Sequence, residues 1–145
     1  MRLVVIDLIP ALLSWEGRER SSDLEVAPDG PEAIAHLHTH YRLIGLADAG
    51  VSSQVIAHAM DKAQVAEFFD SIGTSVGFGP TINPRVVRRI TRMRRSTEPV
   101  VFVTARQSLA RMMSRSRVAV VVTDRAEFGA VPDAVASLIS GRVSP

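Results

Sequence analysis

The chain has 145 residues, 46% hydrophobic and 22% charged, which suffices for one packed core and leaves no apolar run near the roughly 20 residues a membrane span needs. With no cysteine there are no disulfides or thiolate metal sites, and no cleavable leader pattern is visible, so a single cytoplasmic domain over residues 1–145 is expected. The formal net charge is only +2, but sixteen of the seventeen basic residues are arginine, and ten of these fall in residues 80–117 against one acid, Glu98.

Short apolar runs alternate with helix-period stretches, the pattern of a parallel sheet covered on both faces. The first run, residues 3–6 (LVVI), leads straight into Asp7. Residues 14–30 (SWEGRERSSDLEVAPDG) are polar and turn-rich and read as a loop or at most a small flap. Within it Trp15, the only tryptophan, is either a core plug or an interface anchor. A helix follows over 31–40, with Ile34 and Leu37 inward. His36 and His40 share a face of it, but no carboxylate stands at the matching spacing, so they read as surface histidines and not metal ligands.

Residues 43–46 (LIGL) form the second strand and end at Ala47 and Asp48. A helix over 52–60 is capped by Ser52 or Ser53, and a short turn over 64–69 sets Phe68 and Phe69 beneath a third strand, 72–76. Asn83 caps a helix with Pro84 at its first position, running to about Arg95. On it Val86, Val87, Ile90 and Met93 share one face, while Arg85, Arg88, Arg89, Arg92 and Arg95 lie away from that face. The fourth strand, 100–103 (VVFV), runs into Thr104, Ala105 and Arg106. Helices near 108–113 and 132–139 flank the fifth strand, 118–122, with Met112 and Met113 as core filling.

The order of the segments YRLIGLADAG, AEFFDSIGTSVGFGPTINPRVV and EPVVFVTA resembles the haloacid dehalogenase (HAD) superfamily of aspartate-nucleophile hydrolases and phosphatases, over nearly the whole chain. The resemblance implies a three-layer α/β, Rossmann-like core with a five-stranded parallel sheet. An insert as short as 14–30 leaves no sizeable cap domain.

Residue by residue, the resemblance also implies losses. The first motif, D-x-D-G-T in the family, reads Asp7-Leu8-Ile9-Pro10-Ala11, so Asp7 matches the nucleophile while Ile9 replaces the acid–base aspartate. An aliphatic side chain cannot transfer a proton. The second motif's Ser/Thr falls on Ala47 beside Asp48, the third motif's lysine on Thr81, and the magnesium-holding acids of the fourth on Thr104 and Ala105. Phosphoryl transfer needs nucleophile, proton donor, cation and charge clamp together, and only the nucleophile remains.

The expectation is therefore a catalytically degenerate HAD-like domain without cofactor, acting as a regulator or scaffold through a protein partner or as a homo-oligomer. Arg85, Arg88, Arg89, Arg92, Arg95 and Trp15 are its candidate partner or anion surface. The alternative is an active hydrolase or phosphatase with Asp7 as nucleophile and magnesium ligand, and Asp48 and Arg106 recruited as helpers. The segment VVFVTAR also looks like a response-regulator receiver strand end, but that pattern needs an aspartate after the third strand, near Gly77, where none stands. Nucleic acid on the arginine row is not favoured over a solvated helix face, because no aromatic lies among the arginines to stack a base.

Overall fold

Runs of Val, Ile and Leu become parallel strands here because helices cover both faces of the sheet, so neither side calls for polar residues. The computed structural model describes residues 2–15, 24–48, 50–74 and 81–141. Its strands are β1 (Leu3–Asp7), β2 (Leu13–Trp15), β3 (Leu24–Val26), β4 (Arg42–Ala47), β5 (Ser71–Thr74), β6 (Val101–Thr104) and β7 (Ala119–Val122). Between them run α1 (Leu8–Ala11), a single turn, then α2 (Gly30–His38), α3 (Ser53–Lys62), α4 (Pro84–Met93), α5 (Gln107–Arg115) and α6 (Val131–Ile139).

Five strands form one parallel sheet in the order β5-β4-β1-β6-β7, as expected for a Rossmann-like core. β1 is central, with Val4 opposite Leu43 on one side and Val101 on the other, and all five of its residues are buried. Side chains alternate along a strand, so β1 serves two cores. Val4 and Ile6 pack with Ile34, Ile56 and Val135 under α2, α3 and α6. Leu3 and Val5 pack with Val86, Val87, Phe102 and Met113 under α4 and α5. The start of α4 follows the expected chemistry: the Asn83 side chain accepts from the Val86 amide at 3.1 Å, and Pro84 opens the first turn.

The insert after β1 is a small flap, its arms β2 and β3 paired antiparallel with Leu13 opposite Val26 and Trp15 opposite Leu24. Residues 16–23 of that insert, and residues 75–76 of the expected third strand, fall outside the described residues. Leu12 and Leu13 are fully buried, and no large cap domain is built from the described residues.

Two expectations are corrected. Trp15 is no core plug: it is 46% exposed at the end of β2. Met112 is likewise 46% exposed, because α5 turns Met113 into the core and leaves its neighbour outside. Met93 is 65% exposed despite its place on the apolar face of α4. The last turn of α4 overhangs edge strand β5, beside an open groove of about 220 Å³, and there Arg94 turns inward to donate to the Ser71 hydroxyl at 2.7 Å. His36 and His40 are exposed with rings 5.8 Å apart, and no group of three or more metal-binding side chains occurs among the described residues. No described helix is long and apolar enough to cross a membrane.

Candidate functional site

In an open parallel sheet the strand ends and the helix starts that follow them converge at one edge, where ligands bind. Asp7 is the last residue of β1, Thr104 the last of β6, Asp48 follows β4, and Arg106 stands at the start of α5. The central position of β1 thus brings four polar residues together from three strand ends.

Arg106 holds Asp7 with two parallel bonds: Nη2 donates to Oδ1 at 2.8 Å and Nε donates to Oδ2 at 2.8 Å. Such a fork-to-fork pair is the strong geometry for arginine and carboxylate. The Thr104 hydroxyl donates to Asp7 Oδ2 at 2.7 Å and accepts from the Arg106 amide at 3.0 Å. The remaining arm of the guanidinium, Nη1, donates to Asp48 Oδ2 at 2.8 Å, and Asp48 Oδ1 accepts from the Ile82 amide at 2.9 Å. One guanidinium therefore ties β1, β4 and β6 to the segment leading into α4.

Asp7 is 1% exposed, and burial pushes its carboxyl up from the ordinary range against the downward pull of Arg106 and Thr104. Partial burial works to lower Arg106, but its bonds to Asp7 and Asp48 more than offset this and hold its proton more firmly than usual. The pair is thus charged on the arginine side at every accessible pH.

Of the expected site residues, Asp7, Asp48 and Arg106 meet. The arginine row and Trp15 do not belong to this cluster: Arg85, Arg88, Arg89 and Arg92 are exposed on α4, and Arg95 is exposed just past its end. Ala47 is buried, Thr81 exposed and Ile9 half-buried, so the positions matched to the hydroxyl, the lysine and the proton-transfer acid hold an alanine, a threonine and an isoleucine. Thr104 was missed as a working residue. Its signal was its place at a strand end opposite Asp7, where a hydroxyl can both donate and accept.

Magnesium does not fit these residues. The ion needs several free hard oxygens, whereas the two carboxylates at hand are bridged by a fixed cation 2.8 Å from each.

The chain superposes on a haloacid dehalogenase-like family hydrolase from Xanthomonas campestris with TM-score 0.65 and 14% identity, covering 84% of this chain and 59% of that one. It superposes on an L-2-haloacid dehalogenase from Xanthobacter autotrophicus, with chloropropionic acid covalently bound, at TM-score 0.62 and 12% identity over 94% and 98% of the two chains. For a predicted HAD-like family hydrolase from Porphyromonas gingivalis the values are 0.65 and 15%, over 95% and 98%. The fold is that of the haloacid dehalogenase-like hydrolases. No protein-family model matches the sequence, and no curated protein matches it either.

Within this HAD-like fold Arg106 engages both oxygens of the β1 carboxylate, and the Thr104 hydroxyl bonds to that carboxylate and to the Arg106 amide. Thr104→Val keeps the shape but removes a donor from Asp7 and an acceptor from the Arg106 amide. It is expected to cost roughly 1 to 2 kcal/mol in chemical denaturation, the penalty of leaving a buried polar group short of a partner. An unchanged midpoint would show that the hydroxyl carries no weight.

Proposed function

We propose that this chain is a HAD-like domain that works by binding a protein partner, or a second copy, without hydrolysing a substrate. The observation that carries this reading is the double engagement of Asp7: Arg106 takes both of its oxygens, Thr104 adds a second bond to one, and the side chain is 1% exposed. A carboxylate nucleophile needs an oxygen free to meet its substrate. Here the attack would first have to break a bidentate charge-assisted pair.

The test is phosphate release from an aryl phosphate, with and without magnesium, by the wild type and by Asp7→Asn. Neither protein is expected to exceed a protein-free control. Turnover by the wild type that vanishes in Asp7→Asn would overturn the reading.

One observation favours the alternative, an active hydrolase using Asp7 with Asp48 and Arg106. Arg106 is about a third exposed and sits between the two carboxylates, so a guanidinium released from Asp7 is placed to clamp an anionic substrate. The fold relative from Xanthobacter carries covalently bound chloropropionic acid, which makes 2-chloropropionate the second probe. Chloride release lost in both Asp7→Asn and Arg106→Gln would establish this alternative.

A further inference from the structure

At the opposite end of the sheet from Asp7, a groove of about 530 Å³ opens between α4 and the residues that lead into β6 and β7. Its floor is apolar: Pro99, Val100 and Val118, the last two nearly buried. Arg88 and Arg92 of α4 form one wall, and Arg117 stands on the other. The single acid in the lining, Glu98, is already paired with Arg2 at 3.4 Å, and Arg2 also donates to the Pro99 carbonyl at 2.9 Å. Among the described residues Arg88, Arg92 and Arg117 make no ion pair, so the rim keeps its positive charge.

Arg117 is placed at some cost. It closes the turn after α5 with φ of 62°, a left-handed conformation that favours glycine. Holding a long cationic side chain there costs about 1 kcal/mol relative to a residue suited to the turn. The same left-handed conformation closes the turns after α3 and α4 at Gln64 and Arg95, as is usual at helix C-termini.

We infer that this groove is a docking site for an acidic, leucine-bearing segment of a partner protein. The inference rests on the binding reading above and gives it a surface and a partner chemistry. Carboxylates of the segment pair with Arg88, Arg92 and Arg117, which present planar forks suited to them and shed water more readily than lysine. An apolar side chain between those carboxylates covers the exposed Pro99, with Val100 and Val118 beneath it. An apolar centre inside an arginine rim is the composition of protein interfaces. A nucleic-acid backbone would use the charge but leave the floor uncovered, and no aromatic residue lines the groove to stack a base.

The probe is a short fluorescent peptide of repeated Glu-Glu-Leu, with its Gln-Gln-Leu counterpart and a single-stranded RNA of equal length as competitors. The acidic peptide is expected to bind the wild type and to lose about tenfold in affinity in Arg88→Gln/Arg92→Gln, the sum of two exposed charge pairs. Arg117→Gly removes a rim charge while relieving the turn, so it is expected to weaken the peptide without lowering the melting temperature. Equal binding of the neutral peptide, unchanged affinity in both variants, or displacement of the peptide by RNA at lower concentration would each overturn the inference. So would self-association of the wild type through the groove, seen as a dimer that these variants dissolve. The turnover assays report separately: hydrolysis by a protein that still binds the peptide through the groove contradicts only the non-hydrolytic reading. Absence of hydrolysis together with absence of peptide binding overturns the groove alone.

Discussion

Arg106→Ala is expected to lower folding stability by about 3 kcal/mol at neutral pH, the lower end for removing one partner of a buried pair, because Arg106 is about a third exposed. The cost falls on what is left behind. Asp7 is 1% exposed at the centre of the sheet and would keep only the Thr104 hydroxyl, while Asp48 would lose its counter-charge. Burial already pushes the Asp7 carboxyl up, and without the guanidinium the opposing pull is gone. A carboxyl whose folded pKa lies above its unfolded value stabilises the fold below the unfolded value and loses that contribution as pH rises through the folded one. The deficit of the variant relative to wild type is therefore expected to shrink as pH falls from neutral toward the ordinary carboxyl range of about 4. Urea denaturation at several pH values checks this. A deficit under about 1 kcal/mol with no pH dependence would mean that the pair contributes no more than an exposed salt bridge.

Phe102→Ala is expected to cost about 4 kcal/mol. Phe102 lies in β6, is fully buried, and packs in the core shared with Val86, Val87, Leu109 and Met113, between the sheet and the layer of α4 and α5. A cavity there has rigid walls on two sides, a strand and two helices, so collapse recovers little of the lost contact. β6 also carries Thr104 and leads to Arg106, and α4 carries the arginine wall, so the same cavity loosens both sites. Phe102→Leu, which keeps most of the volume, is expected to lose far less than Phe102→Ala. Equal losses for the two would place the cost elsewhere than in the cavity.

The strands were legible because runs of Val, Ile and Leu in a doubly covered sheet have no competing reading, and the Asn83-Pro84 pair marks a helix start by its own chemistry. Asp7 was legible as a strand-end carboxylate. Its state was not: Arg106 lies 99 residues away, and only the parallel order of β1 and β6 brings the two ends together. Motif matching sets Thr104 against a magnesium-holding acid, a comparison blind to what a hydroxyl can do between a carboxylate and an amide. Helical periodicity gave Met93 its face but not the position of the sheet edge, beyond which that face is open. Met112 shows the converse, as adjacent methionines cannot both face the core of a single helix side. Trp15 carries no signal of its own, because a large aromatic in a flap serves equally well inside or outside.

The most direct measurement is a double-mutant cycle on stability between Asp7 and Arg106, using Asp7→Asn, Arg106→Gln and the double variant in urea denaturation. If the carboxylate is committed to the guanidinium in solution, the two substitutions are coupled by about 2 kcal/mol or more, so the double variant is far less damaged than the singles add up to. Additive losses, with coupling near zero, would leave Asp7 unclaimed and Arg106 free to serve a substrate, and would contradict the reading of Asp7 as a structural anchor.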